Sequence, residues 1–554
     1  MDSTLESMSA KRIMPRIWAR DYTVWKHDPT EISDRLNWLQ SPQTMLELVP
    51  RFRELIDEVR SGGYARVMLL GMGGSGLAPA VFAKVFGKID GYPELTVLDN
   101  TDPDTLQAAY KSLRLDETLF IVSSKSGTTV ETLSLMKFFY ARVAEIVGRD
   151  RAGRHFVAIT DPGSNFVSIA RKGQFMRILM NDPNLGGRYS VLSYDGLVPA
   201  ALMGVDLTRL LGSAMRTASQ CGPDVETKEN PAARLGATLG ELAKNGRDKV
   251  TFAISPRIEA FGNWIEQLIA ESTGKEGRGI LPIVGAQPGP PDVYGNDCLF
   301  VSLQIDGEMN VPQETALTKL RGAGHPIVYL QMRDAYELGG QFFLWELATA
   351  VIGHLIGVNP FDQPNVESAK VGARKMIAEY KARGRLPKPS PVLSTKEVQV
   401  YGEAKGASPG AVLASYFERA RAGDYIAIEA YVQPTDRMDR SLRELRELLM
   451  ARYRLATTLG YGPRFLHSTG QLHKGDAGRG FILQITSEDL GDLPIPDELG
   501  STRSSVSFGV LKEAEALGDM NALVSAGRRV ISFHLKGDAP GALDRLTGTL
   551  RRAA

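Results

Sequence analysis

The apolar run Thr118-Leu119-Phe120-Ile121-Val122 leads through Ser123 into Ser124-Lys125-Ser126-Gly127-Thr128-Thr129, and a stretch of helical spacing, Val130–Val147, follows at once. A short, continuous apolar run before a helix is the pattern of a buried strand in a parallel sheet. The loop between them therefore lies at a strand's carboxyl end. Open α/β sheets bind ligands at that edge, and the free N–H groups and positive dipole end of the following helix favour an anion there. Ser124, Ser126, Thr128 and Thr129 add hydroxyl donors without adding charge. A plain Ser/Thr helix cap with a loop glycine is the other reading of the same residues.

The same rhythm recurs on both sides of this stretch. Short apolar runs at 67–70, 95–98, 119–122 and 156–159 alternate with amphipathic segments, which predicts parallel strands with helical crossovers. Their turn residues, 71–75, 99–103, the Ser/Thr loop and 161–164, are expected to gather on one sheet edge. A second series begins near Asn230, with runs at 250–254, 299–303 and 326–330, and closes on a helical pattern over Val366–Arg383. Alternating prolines from Arg385 to Pro391 read as an extended linker. Beyond it we expect strands at 425–430, 481–485 and 530–535 and helices at 440–459 and 509–526.

At 554 residues the chain is too long for one core. We expect an α/β protein with an N-terminal helical segment (1–60), two doubly wound parallel-sheet domains (61–225 and 226–384), a linker (385–395) and a C-terminal α/β domain (396–554). With 65 basic against 64 acidic residues, no overall field draws in nucleic acid or a membrane surface, and a small ligand is the better fit. Cys221 and Cys298, far apart, fit a reducing cytoplasm and make neither a disulfide framework nor a cysteine metal site. The start of the chain has no signal-peptide pattern, and the most apolar stretch, 342–358, carries Glu346 and His354, so no membrane span is expected.

A second candidate cradle, Gly71-Met72-Gly73-Gly74-Ser75-Gly76, follows the first predicted strand. Its glycines let backbone approach a bound group, and Ser75 offers a hydroxyl at a helix start. It departs from the dinucleotide fingerprint, and neither loop ends in the Gly-Lys-Ser/Thr of a nucleotide-binding loop. One phosphate on a small molecule is the simpler expectation.

The loops at 71–75 and 124–132 resemble the phosphate-binding loops of sugar isomerase (SIS) domains, specifically those of the glucose-6-phosphate isomerase family. Gly186-Gly187-Arg188-Tyr189-Ser190, Gln267-Leu268-Ile269-Ala270-Glu271-Ser272, and the run from Gly357 to Lys370 with Phe361-Asp362-Gln363 resemble further segments of that family, in the order it requires. The stretch Gly462-Pro463-Arg464-Phe465-Leu466-His467-Ser468 resembles the extra C-terminal domain of isomerase portions fused to transaldolase.

The resemblance implies an aldose–ketose isomerase that interconverts glucose 6-phosphate and fructose 6-phosphate through an enediolate, without cofactor or metal, as a cytoplasmic homodimer. It implies Glu271 as base, Arg188 at the enediolate oxygen, and Lys370 with Gln363 at ring opening. It also implies Gly74, Ser75, Ser124, Lys125, Ser126, Thr128 and Thr129 at the phosphate, with Glu131 and Gln267 at the sugar or loop. Proton transfer between C2 and C1 requires such a base, a stabiliser of the developing oxyanion and an acid/base pair.

Two departures stand out. Pro364-Asn365 replaces the family's Trp-Gly, which a first helical turn accepts. The segment 285–298, from which the family draws its ring-opening histidine, contains none and offers Asp292, Tyr294 and Asp297 instead. His467 is the candidate substitute, with His473 beside it in sequence and His354 expected to be packed. A non-catalytic sugar-phosphate-binding protein and an isomerase that also accepts mannose 6-phosphate are the alternative readings.

Overall fold

The computed structural model describes residues 2–308, 310–387 and 389–552. Its first sheet is wholly parallel, in the order β2-β1-β3-β4-β5, with β1 Arg66–Leu70, β2 Glu94–Leu98, β3 Thr118–Ser123, β4 Phe156–Thr160 and β5 Arg177–Met180. β3 is buried along its whole length, as its unbroken apolar run requires. Because β1 and β3 are neighbours, the loops 71–76 and 124–129 leave the same edge side by side.

The second sheet, order β7-β6-β8-β9, is also parallel: β6 Lys249–Ile254, β7 Leu281–Ile283, β8 Cys298–Ile305 and β9 Ile327–Met332. The helix Leu338–Ile356 is buried on nearly every side, and its Phe342 and Trp345 pack edge-on against Phe82 and Phe252. This puts the first two sheets and the N-terminal helices around one continuous core.

A third sheet, order β10-β11-β17-β14-β12-β13, is built from β10 Leu393–Ser394, β11 Val398–Gly402, β12 Tyr425–Tyr431, β13 Ala456–Tyr461, β14 Gly480–Ser487 and β17 Arg529–Leu535. β15 Pro494–Ile495 and β16 Val506–Ser507 form a separate small hairpin. One face of the third sheet is covered by its own helices; the other meets Leu281 and Ile283 of β7 and Leu472. The helix Val366–Arg383 leans on the helix Phe508–Ser525, where a methyl group on Gly372 would stand 3.0 Å from the carbonyl oxygen of Gly518.

Several segments differ from the sequence expectation. The helix expected at 440–459 is Asp436–Tyr453; Arg454 turns left-handed at φ 52°, and 456–461 becomes β13, parallel to β12. Leu393–Ser394, inside the expected linker, forms the outermost strand of the third sheet. β5 escapes a pattern search because it is a half-exposed edge of four residues. β7 escapes it because it has three residues and contains Pro282, which an edge strand tolerates.

Candidate active site

The Gly-rich loop is shaped by contacts that only glycine permits. Gly73 sits at φ 57°, ψ −132°, a conformation closed to residues with a Cβ. A Cβ on Gly74 would lie 1.9 Å from the carbonyl oxygen of Gly187, so this loop rests directly on the turn that carries Arg188. Ser75 follows at the start of the helix Gly74–Phe86 and is buried.

The Ser/Thr loop is tied down from behind. The amide of Ser124 donates to the Ile159 carbonyl (3.0 Å), and the Thr160 hydroxyl donates to the Ser124 carbonyl (2.7 Å). Ser126 and Thr128 are left at the surface, their hydroxyls 2.8 Å apart, and Ser124 Oγ donates to Thr129 Oγ1 at 3.4 Å. Lys125 is turned elsewhere: its ammonium pairs with Asp161 and donates to the Pro183 carbonyl (2.9 Å), so the expected positive charge of this loop is already matched by a carboxylate.

Arg188 is 2% exposed and surrounded by protein oxygens. Nε donates to Ser272 Oγ (2.8 Å), Nη1 to Gln363 Oε1 (3.0 Å), and Nη2 to the carbonyls of Pro360 (2.7 Å) and Asp362 (2.8 Å). Nη1 also stands 3.4 Å from Glu271 Oε1. The expected oxyanion donor is thus first of all a clamp joining the 186–190 turn, the helix Phe261–Thr273 and the 360–363 segment. Glu271 and Gln267 lie on one face of that helix, and Gln267 Nε2 donates to Glu271 Oε2 (3.0 Å) and to the His467 carbonyl (2.8 Å). Gln267 Oε1 is buried and has no partner.

The loop after β13 brings in the histidine. His467 Nε2 lies 2.7 Å from Glu131 Oε1, at the first turn of the helix Val130–Val147. Burial works to raise the Glu131 carboxyl, but the facing His467, with help from Lys370, outweighs it and holds the group below the usual carboxylate range. Ser126, Thr128, Thr129, Glu131, Lys370 and His467 line one cleft of about 140 Å³, with the Lys370 side chain exposed. Nine of the sequence candidates form two groups, the six of the cleft and the Arg188–Glu271–Gln363 cluster, which Gln267 bridges through its bonds to Glu271 and His467.

The other two candidate histidines lie apart from this arrangement. His473 is buried against the Tyr425 hydroxyl (2.9 Å), and burial followed by the Lys474 charge pushes it down to about 3. His354 bonds the Val24 carbonyl through Nδ1 (2.7 Å). Of the residues offered in place of the absent histidine, Tyr294 lies elsewhere, with its hydroxyl accepting from the Gly289 amide.

Two residues were not singled out from the sequence. Glu515, on the helix Phe508–Ser525, lines the same cleft and accepts from the Thr101 hydroxyl (2.9 Å); burial, then the charge of Glu131, raises its carboxyl well above the usual range. Lys275 is 1% exposed and bonded to Asp362. Its only sequence signal is its place after Gly274 at the end of the base-bearing helix. Among the described residues no group of three His, Cys, Asp or Glu side chains is placed to hold a metal ion.

The phosphoglucose isomerase family model matches residues 39–281. A glucose-6-phosphate isomerase of Rubrobacter xylanophilus is 30% identical over 418 residues, 67% of this chain and 94% of that protein. A probable glucose-6-phosphate isomerase of Haloquadratum walsbyi is 32% identical over 57% of this chain and 80% of that protein. In fold, the chain is similar to a glucose-6-phosphate isomerase of Chlamydia trachomatis (TM-score 0.57, 18% identity, 69% of this chain and 87% of that one). It is equally similar to a hypothetical protein of Thermus thermophilus (TM-score 0.58, 24% identity, 68% of this chain and 97% of that one). With nearly the whole of a curated relative spanned at 30% identity, the chain belongs to the phosphoglucose isomerase family.

Proposed function

We infer that this enzyme interconverts glucose 6-phosphate and fructose 6-phosphate by moving a proton between C2 and C1 of the open-chain sugar. The observation that carries the reading is the single amide of Gln267, which links the Glu271 carboxylate to the segment bearing His467. In this reading Ser75 and the hydroxyls and amides of 124–129 hold the phosphate, aided by the amino end of the helix Val130–Val147. Glu271 takes the proton. Arg188 stabilises the enediolate by sharing Nη1, whose 3.4 Å contact to Glu271 is the longest it makes. His467, with Glu131 behind it, and Lys370 serve ring opening, and Gln363 supports them.

The same reading takes 61–225, 226–384 and 396–554 as the sheet-bearing units, the first two sharing one core, with a cytoplasmic location and a homodimer. No helix among the described residues is long and apolar enough to cross a membrane. The 462–468 segment supports a kinship of the last unit with isomerase portions fused to transaldolase. A coupled assay on purified protein tests the function: turnover of both sugar phosphates is expected, with a loss of about 10²–10⁴-fold in Glu271→Gln. Binding without turnover selects the sugar-phosphate sensor instead, and turnover of mannose 6-phosphate widens the specificity.

A further inference from the structure

Lys275 lies just past the end of the helix that carries Glu271, with its ammonium sealed inside the protein. Nζ donates to the Asp362 carbonyl (2.5 Å) and to Asp362 Oδ1 (2.6 Å). The same carbonyl receives Arg188 Nη2 at 2.8 Å, so two cations converge on one peptide oxygen. Arg188 also holds the carbonyl of Pro360 and the amide oxygen of Gln363. The 360–363 segment, free of helix or strand, is thereby fixed by Lys275 and Arg188 together.

We propose that Lys275 is a positioning residue for the isomerisation: it pins Asp362, and so sets Gln363 and the acceptor frame that aims Arg188 at Glu271. This rests on the isomerase reading above. The charged groups that face it are Asp362 from the loop, Arg188 from the turn Gly187–Tyr189 and Glu271 from the helix Phe261–Thr273. An ammonium buried beside a guanidinium loses its charge more readily than an exposed one; burial first and Arg188 second bring Lys275 down to about 8, against the pull of Asp362. A guanidinium does not titrate in this range. As pH rises through about 8, the Asp362 carboxylate loses its cationic partner and the frame loosens, while the phosphate loop, on a different sheet, keeps its contacts. The expected signature is an alkaline fall in kcat with little change in KM.

The test compares wild type, Lys275→Met and Asp362→Asn in kcat, KM and pH profile, together with amide hydrogen exchange over 358–366 corrected for intrinsic rates. Lys275→Met is expected to lose about tenfold or more in kcat, with KM within about threefold, and to lose the alkaline limb. Asp362→Asn removes the anion that favours the ammonium, so its alkaline limb moves to lower pH. Exchange in the segment is expected to rise in wild type above pH 8 and in Lys275→Met at every pH. A Lys275→Met enzyme with wild-type kcat, limb and exchange overturns the proposal. If that variant does not fold, an unmoved limb in Asp362→Asn overturns it equally. Wild type without turnover refutes the isomerase reading alone, and the exchange data still decide for or against the clamp.

Discussion

Gln267 and Glu271 stand one turn apart on the same helix face, and the amide nitrogen of the first, 3.0 Å from the carboxylate of the second, also donates to the carbonyl of His467. Both amide hydrogens are thus in use and the amide oxygen is left buried without a donor. A sugar hydroxyl can supply that donor. Gln267→Leu removes the acceptor and the bridge together, and kcat/KM is expected to fall about 10²-fold in the coupled assay, with the fold intact by circular dichroism. Gln267→Glu sets a second carboxylate against the base and is expected to raise the acid limb of the pH profile.

His467→Asn is expected to lower kcat by about 10²-fold or more while leaving KM nearly unchanged, because the phosphate contacts lie on another loop. A variant with full kcat removes His467 from the mechanism. Glu131 carries a stability consequence as well. Its carboxyl is held below the ordinary value of 4.5, so its contribution is present above about pH 4.5 and is lost as pH falls through the folded value. Glu131→Gln is therefore expected to be less stable than wild type at pH 7 and to converge on it as the pH falls below the Glu131 value, which denaturant unfolding followed by fluorescence at neutral and acid pH measures.

Gly74→Ala puts a methyl group 1.9 Å from the Gly187 carbonyl oxygen, a contact that forces the phosphate loop and the Arg188 turn apart. We expect a loss of about 1–3 kcal/mol in denaturant unfolding, a raised KM from the displaced loop and a lowered kcat from the displaced arginine. Gly187→Ala is the control: no atom stands within 4 Å of its added carbon, and it is expected to be mild in both measurements.

Glu346 lies far inside the helix Leu338–Ile356 with Oε1 unpartnered, and burial alone lifts its carboxyl well above 4.5. A carboxyl raised on folding gives stability that is whole below about pH 4.5 and is lost as pH rises toward the folded value. Wild type is therefore expected to lose up to about 1.4 kcal/mol per pH unit in that window relative to Glu346→Gln. Chemical denaturation at pH 5, 6, 7 and 8 measures this, and parallel stabilities across the series contradict it.

The central strands and the edge where their loops gather were legible because β1, β3, β4, β6, β8, β12 and β14 carry apolar runs that leave no choice of period. β13 was not, because Arg454, which ends the preceding helix in a left-handed turn, is not the glycine that usually signals such a stop. At the site, spacing pointed to Ser75 and the Ser/Thr loop, and the family resemblance of their local segments pointed to Arg188, Glu271 and Gln363. What sequence could not carry was long-range pairing: that Lys125 is claimed by Asp161, that His467 reaches Glu131 across 336 residues, and that Lys275 and Glu515 are inside rather than on the surface. Those facts depend on which edges of three sheets face one another.

The glycine contact between the helices Val366–Arg383 and Phe508–Ser525 makes the C-terminal part the bedplate of the lysine helix. Gly372 lies only two residues from Lys370, and a methyl group on it would stand 3.0 Å from the Gly518 carbonyl oxygen, close enough to push the two helices slightly apart. Glu515 sits one turn earlier on the supporting helix and faces the same cleft. A chain cut after residue 384 retains both phosphate loops, Arg188, Glu271, Gln363 and Lys370, yet gives up the surface that holds Lys370 in register. Trimming or exchanging the last 170 residues is therefore expected to change where the Lys370 ammonium points.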